Sequence, residues 1–242
     1  MADDIFHLLS TAARIDKSKR KKRMLPKQPA VKVTHDAWDE DETSKSRDRK
    51  GKRDTSEEKL AQIHQEQVNA FRNSLNIKVK GDAKRILDPI SSFDELEGRT
   101  SQVIGRNVPW KTPTPIQMQA IPILLHGEDI MATAPTGSGK TGAFVWPLIW
   151  HVAKTKERLS ALVMAPTHEL AVQLHSQIQQ MCNNLPIRAQ LLQKSNAKQQ
   201  GNAQILVATP KRLVDSQKEE WIKLDDIRFI VLDEADRLLE SM

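Results

Sequence analysis

One eight-residue segment, Ala134–Thr141, constrains the fold of this chain more than any other part of the sequence. It reads Ala-Pro-Thr-Gly-Ser-Gly-Lys-Thr and joins an apolar run at 130–133 to a stretch with helical character at 140–154. Glycines in such a turn let the backbone approach phosphate oxygens, and the N–H groups that open the following helix complement negative charge. The segment therefore predicts a phosphate-binding loop between a strand and a helix.

Two side chains of this loop have expected roles at a nucleoside triphosphate. Lys140 is expected to reach the β- and γ-phosphates, and the Thr141 hydroxyl is expected to ligate Mg²⁺. Ala134 stands where the general pattern has its first glycine. A purely structural Gly/Ser-rich turn is the alternative, and the Lys-Thr pair together with an acidic partner downstream favours the functional interpretation.

The acidic partner lies in a second segment, Val231–Asp236. An apolar strand delivers Asp233 to its carboxyl end, where ligands bind in open α/β sheets. Asp233 is expected to hold Mg²⁺, directly or through water, and Glu234 to orient or deprotonate the attacking water. Taken alone, an acidic cluster after a strand is commonly a helix N-cap, and this alternative stays open for Asp236.

Beyond residue 56, short apolar runs alternate with helical stretches, which predicts an α/β fold. Strands that alternate with helices form a mostly parallel sheet with helices on both faces. The expected strands are 130–133, 161–164, 189–192, 205–208 and 229–232, and the expected helices are 57–75, 140–154, 167–182 and 210–217.

Residues 1–56 have a different composition and are predicted to be a basic, largely disordered tail. Apolar residues at helical spacing over 3–16 indicate either a weakly ordered terminus or a helix that docks on a protein partner. Residues 17–23 hold six cations in seven positions, which suits a nuclear import signal, an RNA-contacting tail or a solvated charge run. Residues 24–56 carry too few large apolar groups to offset chain entropy.

Charge and cysteine content narrow the function classes. The net charge is +6, and residues 1–60 hold 16 basic against 12 acidic side chains. The remainder is close to neutral, so bulk charge alone would not drive nucleic-acid binding there. The single cysteine, Cys182, excludes an internal disulfide and a multi-cysteine zinc site, and it is expected to be a buried thiol. No apolar run reaches the length of a membrane span, so no membrane partner is expected.

The chain resembles a known family, the DEAD-box ATP-dependent RNA helicases. The signature of that family is Asp-Glu-Ala-Asp, the sequence of residues 233–236 here. The segment 113–117 resembles the family's adenine-recognising Q motif, in which the Gln117 amide would read both a donor and an acceptor of the base. Phe93, 17 residues before Trp110, has the spacing of the family's adenine-stacking aromatic. The implied adenine-nucleotide contacts are Phe93, Trp110, Thr112, Gln117, Ala134, Pro135, Thr136, Gly137, Ser138, Gly139, Lys140 and Thr141.

Two further segments, 166–171 and 209–213, resemble the family's RNA-contacting motifs. His168 replaces an arginine there, which removes a permanent cation, and Lys211 replaces a glycine, which adds one. The implied RNA contacts are Pro166, Thr167, His168, Glu169, Thr209, Pro210 and Arg212.

The family's usual Gly-Gly is missing between these segments, where the chain has Gln-Lys-Ser at 193–195. This absence and the run at 115–122 resemble a nucleolar subgroup that acts in small-subunit ribosome assembly. The resemblance therefore implies pre-rRNA as the RNA partner, and the nucleus, with its nucleolus, as the location.

Two hypotheses about function follow. In the first, the chain is the N-terminal portion of an ATP-dependent RNA helicase that uses ATP and Mg²⁺, with Lys140, Asp233 and Glu234 as catalytic residues. Residues 57–242 would then be a RecA-like P-loop NTPase domain, incomplete at its C-terminus. The isolated chain, a monomer outside a larger assembly, would bind adenine nucleotides weakly and hydrolyse little. In the second, the chain is a non-catalytic nucleotide- or RNA-binding module, or a partner-docking module.

Overall fold

A computed structural model describes residues 49–83, 85–96, 110–155, 158–196 and 203–240. The predictions for 3–16 and 17–23 lie outside these ranges. The elements in chain order are α1 (Arg49–Ser74), a 3₁₀ helix (Phe93–Leu96), α2 (Pro115–His126), α3 (Lys140–Lys154), β1 (Ala161–Met164), α4 (His168–Met181), β2 (Ala189–Leu191), β3 (Ile205–Ala208), α5 (Pro210–Lys218), β4 (Phe229–Leu232) and α6 (Ala235–Glu240).

Helix α1 belongs to a different compact unit from the sheet, and residues 49–80 are the described part of that unit. The predicted helix at 57–75 is present, but it begins at Arg49, within the part of the chain expected to be tail. Lys and Arg occupy four of the eight positions at 49–56, and they are good helix formers because their straight side chains lose little rotamer freedom, which favours extension of the helix into this segment. Among the described residues, no helix has the length and apolar character needed to cross a membrane.

The four strands form one parallel sheet with the order β2-β3-β1-β4. Helix α4 connects β1 to β2, and α5 lies between β3 and β4, so helical crossovers provide the connections that parallel strands require. These strands and the helices α3, α4 and α5 agree with the prediction to within a residue or so at each end, and the parallel sheet is confirmed.

Each central strand is buried on both faces, because alternate side chains enter two different apolar cores. Ala161 and Val163 of β1 belong to the larger core, which holds much of α3, including the fully buried Trp146. Leu162 and Met164 belong to the second core, together with residues of α5 and α6. The prediction of helices on both faces is therefore confirmed.

The strand predicted at 130–133 is wrong. This segment has no regular structure, and the Met131 side chain is 97% exposed. Apolar character is not enough to make a strand, because the backbone N–H and C=O groups need a neighbouring strand to pair with. Among the described residues β4 has such a neighbour only on its β1 side, and its Leu232 is 42% exposed.

Candidate nucleotide-binding site

The loop at 134–139 leads directly into α3. Gly137 and Gly139 have φ angles of +80° and +89°, a left-handed backbone that glycine adopts without steric cost. Gly139 is also the N-cap residue of α3. These two glycines therefore let the chain turn sharply at the start of a 15-residue helix and leave its first N–H groups facing the loop.

The Lys140 side chain folds back over this loop. Its Nζ atom donates hydrogen bonds to the carbonyl oxygens of Ala134 at 2.5 Å and Pro135 at 3.2 Å. Thr141, the next residue of α3, is half-buried. The loop thus holds the cation by its own backbone oxygens, at the place where the sequence predicts phosphate.

Asp233 follows β4 at the carboxyl edge of the sheet. Its N–H donates a 3.0 Å hydrogen bond to the Met164 carbonyl oxygen, which fixes its backbone beside the end of β1. Burial raises the pKa of the Asp233 carboxyl and the negative charge of Glu234 adds to this, while the Glu234 backbone N–H and the positive Lys140 oppose it. Asp233 therefore lies at the carboxyl edge of the sheet, where ligands bind in open α/β sheets.

Glu234 has an unusual backbone, with a φ angle of +50°. A residue other than glycine pays a free-energy cost of about 1–3 kcal/mol in this region, and such residues cluster at functional sites. The Glu234 carboxylate accepts a 3.0 Å hydrogen bond from Nη1 of Arg237, and its carbonyl oxygen accepts one from the Leu238 N–H at the start of α6. Glu234 is therefore held at both its backbone and its side chain.

Gln117 connects α2 to the phosphate loop. Its side chain is fully buried, with Oε1 accepting a 3.0 Å hydrogen bond from the Thr114 N–H. Its Nε2 donates a 3.1 Å hydrogen bond to the Gly139 carbonyl oxygen. Thr114 Oγ1 is buried beside it without a hydrogen-bond partner among the described residues. The predicted adenine-reading amide thus contacts protein backbone at both ends.

Two predicted aromatic contacts lie along one face of α3. The Phe93 ring packs edge-to-face on the buried Trp146, with 5.0 Å between ring centroids. The outer ring atoms of Trp110 lie against Gly142, four residues earlier on α3. Residues four apart share a helix face, so both aromatic rings line the same side of α3. Thr112, also predicted, is exposed in the segment before α2.

The predicted RNA contacts come together at one edge of the sheet. Residues 166–169 follow β1, and Thr209, Pro210 and Arg212 follow β3, its parallel neighbour. The Ala165 N–H donates a 3.1 Å hydrogen bond to the Ala208 carbonyl oxygen, so the two chain segments leave the sheet side by side. Asp233 leaves β4 on the other side of β1.

Helix capping also accounts for part of the segment after β1. Thr167 is the N-cap of α4, where its Oγ1 accepts a 3.3 Å hydrogen bond from the Leu170 N–H. Hydrogen bonds from its own backbone N–H and from Thr167 lower the pKa of the Glu169 carboxyl. His168 and Glu169 are exposed, so these side chains remain accessible to a ligand.

Two residues of this region were missed by the sequence analysis. Arg237 pairs with Glu234, and an arginine three residues after an acidic group is the pattern that indicates such a pair. Gly142 lies in the first turn of α3 beneath Trp110 and Gln117. A glycine inside a predicted helix costs stability, and that cost is the signal that could have found it.

Comparison with known proteins identifies the family of this chain. A family model described as DEAD/DEAH box helicase matches residues 114–242, just over half of the 242-residue chain. The chain belongs to the DEAD/DEAH box helicase family. Within this family it is similar to a protein of Rattus norvegicus named "Probable ATP-dependent RNA helicase DDX52", with 35% identity over 244 residues, 93% of this chain and 40% of the rat protein.

Solved structures of DEAD-box proteins confirm the RecA-like fold. The RNA helicase Prp28 from Chaetomium thermophilum, bound to ADP, aligns with a TM-score of 0.65 and 30% identity over 72% of this chain and 45% of that one. A DEAD-box protein from Methanococcus jannaschii aligns with a TM-score of 0.58 and 33% identity over 63% of this chain and 44% of that one. The chain therefore spans less than half the length of each of these relatives.

Proposed function

We propose that the chain is the nucleotide-binding portion of an ATP-dependent RNA helicase, in which ATP binding and hydrolysis drive local remodelling of RNA duplexes. The observation that carries this proposal is the phosphate loop, in which the left-handed Gly137 and Gly139 lead into α3 and Lys140 folds back over the loop. A cation on such a loop, with a carboxylate supplied from the carboxyl end of a strand as Asp233 is, is the arrangement that phosphoryl transfer requires. The similar Prp28 structure, which contains ADP, supports an adenine nucleotide as the ligand.

Gln117 and the aromatic face of α3 would recognise the base. The Gln117 amide uses one N–H on Gly139 and one Oε1 lone pair on Thr114. An amide has two N–H donors and two oxygen lone pairs, so one of each remains for the donor and acceptor edge of adenine. Trp110 and Phe93 would supply an aromatic surface beside it.

The phosphates would lie in the loop before α3. The glycine backbone at Gly137 and Gly139 and the N-terminus of α3 fit bound phosphate oxygens. Lys140, now bonded to loop carbonyl oxygens, would transfer its hydrogen bonds to the phosphates. Thr141 and Asp233 provide the oxygen ligands that Mg²⁺ prefers, and this ion would neutralise phosphate charge when bound.

Hydrolysis would depend on Glu234. Its strained backbone and its contact with Arg237 hold the carboxylate next to Asp233 at the carboxyl edge of the sheet. Such a carboxylate can orient a water molecule and accept its proton while Lys140 stabilises charge on the transferred phosphoryl group. Catalysis of this kind is mainly positioning and electrostatic stabilisation.

RNA would bind along the ends of β1 and β3. The predicted contacts from 166–169 and 209–212 converge there, beside the end of β4 that carries Asp233. Nucleotide and RNA would therefore bind at the same edge of the sheet. Hydrolysis of the nucleotide would then change the adjacent RNA contacts and release the RNA. The proposal includes pre-rRNA as substrate, a nuclear and nucleolar location with the basic run at 17–23 as import signal, and a protein partner at the N-terminal segment.

Two measurements test this function. Purified chain in the presence of Mg²⁺ should bind a fluorescent ADP analogue weakly, and Lys140→Ala should lose that binding. The native product, isolated with an antibody against residues 25–60, should hydrolyse ATP faster when RNA is added. Binding without any RNA-stimulated hydrolysis in the native product would instead favour a non-catalytic nucleotide-binding module.

A further inference from the structure

Gly142 stands at a position that leaves no room for a side chain. A Cβ atom there would lie 2.5 and 2.6 Å from the outer ring atoms Cη2 and Cζ3 of Trp110, and 2.7 Å from Nε2 of Gln117. Favourable contact between such atoms needs about 3.5–4.0 Å. Any residue other than glycine would therefore have to displace Trp110, Gln117 or both.

No backbone requirement explains this glycine. Gly142 lies within α3 and is not among the residues with positive φ, whereas Gly139 has a φ angle of +89° and needs glycine for its conformation alone. Glycine is the poorest helix former apart from proline. The close approach of the two side chains is thus the physical reason for a glycine at position 142.

The two neighbours differ in how they can respond to crowding. Gln117 is fully buried and hydrogen-bonded at both ends, so displacing its amide would break the link to Gly139. Trp110 is 37% exposed, so its ring can move toward solvent. That movement would change the position of the ring surface that is proposed to contact the base. A methyl group at position 142 would consequently disturb both groups that are proposed to meet the base.

We propose that Gly142 is a positioning residue for the Trp110 ring and the Gln117 amide, the two groups beside it that are proposed to contact adenine. By leaving space at the first turn of α3, it seats the Trp110 ring and the Gln117 amide at a fixed distance from the phosphate loop. The inference rests on the proposed function, because it assumes that adenine nucleotides bind here. It adds that base affinity depends on the contact between Trp110 and Gly142, two residues with no direct role in phosphate binding.

The test compares Gly142→Ala with the unchanged chain. Binding of fluorescent ADP and GDP analogues is measured, and 4-fluorotryptophan labelling, which leaves the Cζ3 and Cη2 atoms unsubstituted, reports the Trp110 environment by ¹⁹F NMR. ADP binding should weaken by about tenfold, the order expected when one base–aromatic stack is lost. GDP binding should change less, because only adenine would also lose its hydrogen bonds with the displaced Gln117 amide. The Trp110 resonance should shift. Unchanged ADP binding with an unmoved Trp110 resonance would overturn the inference.

A second variant separates displacement of the ring from general damage to the helix. Phenylalanine lacks the outer ring atoms that a methyl group would meet, so Gly142→Ala combined with Trp110→Phe should recover part of the ADP affinity. If Gly142→Ala alone does not fold, a double variant that folds and binds ADP supports the inference, and one that also fails to fold refutes it.

Ala153→Gly makes a matched change of one methyl group at an exposed position of α3 and should leave ADP binding unchanged. An unchanged chain that binds no adenine nucleotide would refute the proposed function itself. In that case the Trp110 resonance of Gly142→Ala would still report whether the steric contact exists.

Discussion

The Nε2 atom of Gln117 and the carbonyl oxygen of Gly139 are joined by a 3.1 Å hydrogen bond that ties α2 to the phosphate loop. The same side chain accepts a hydrogen bond from the Thr114 N–H, so one buried amide bridges two backbone segments. A change in the hydrogen bonds of this amide would therefore alter the backbone of Gly139, which is the N-cap of α3. Loop geometry and, under the proposed function, base recognition therefore depend on one side chain.

Replacing Gln117 with alanine should affect both stability and nucleotide choice. It leaves the Thr114 N–H and the Gly139 carbonyl without this partner, which should lower the free energy of unfolding by about 1–3 kcal/mol. Discrimination between ADP and GDP analogues should also fall. Gln119→Ala is the matched control, because Gln119 is buried on the same helix and bonds the Leu87 carbonyl oxygen instead. Equal loss of discrimination in both variants would remove Gln117 from the base site.

Replacing Glu234 with glutamine should separate binding from hydrolysis. Glutamine keeps the size of the side chain and an oxygen for Arg237, but it cannot accept a proton from water. In the native product, for which we propose RNA-stimulated hydrolysis of ATP, we expect the rate of hydrolysis to fall by at least about a hundredfold, in the range typical of a lost general base, with ADP binding retained. Hydrolysis at the rate of the unchanged enzyme would exclude Glu234 from catalysis.

Replacing Asp233 with asparagine should stabilise the fold at neutral pH. The pKa of this carboxyl is raised above its ordinary value of 3.8, chiefly by burial. Between the unfolded and folded pKa values the folded chain binds more protons, so the carboxylate's destabilising effect grows as pH rises through this window. Melting temperatures measured from neutral toward acid pH should show a higher value for Asp233→Asn that converges on the unchanged chain. A variant that melts lower at neutral pH would contradict this.

His151 should make the fold less stable in mild acid. Its Nε2 lies 2.8 Å from the Leu124 carbonyl oxygen and its ring stacks on Phe229. Burial lowers its pKa from 6.5, and the nearby Lys154 acts in the same direction. Below the ordinary pKa the unfolded chain gains a proton that the folded chain does not, so stability falls as pH falls from about 7 to about 5.

The test of this effect is His151→Gln, whose amide can still donate to the Leu124 carbonyl oxygen but does not titrate. Its free energy of unfolding, measured by urea denaturation, should depend less on pH over the same range. A pH dependence equal to that of the unchanged chain would assign the effect to other groups.

Cys182 should be chemically inert in the folded chain. It is buried, as the sequence predicts, and burial raises the pKa of its thiol to about 12. The thiolate is the reactive form, so alkylation by iodoacetamide at neutral pH should proceed only after denaturation. Mass analysis of the native and unfolded chains makes the comparison, and rapid modification of the native chain would contradict the buried position.

The sequence predicted the parts of the fold that local patterns determine. Alternating apolar runs and helical stretches located β1, β3 and β4 and the helix after the phosphate loop, because both faces of the sheet are buried. The strand prediction at 130–133 was wrong for a non-local reason, because a strand forms only where its backbone can pair with a neighbouring strand. The amino acids at 130–133 do not indicate whether a neighbouring strand is available for pairing.

The candidate site was predictable in its components but not in their contacts. The resemblance to the helicase family indicated Phe93 and Trp110, but only three-dimensional packing shows that they share the α3 face formed by Gly142 and Trp146. The left-handed backbone of Glu234 likewise has no signature in the sequence, because glutamate rarely adopts it.

The edge position of β4 has a practical consequence for the purified chain. Within the described ranges no strand pairs with its outer row of backbone N–H and C=O groups, and this row and the exposed Leu232 offer a template on which another molecule can add a strand. Concentrated samples should therefore tend to self-associate and precipitate through this edge. A lysine in place of Leu232 would place a charge on the growing stack and keep the chain in solution at the concentrations that crystallisation and NMR require.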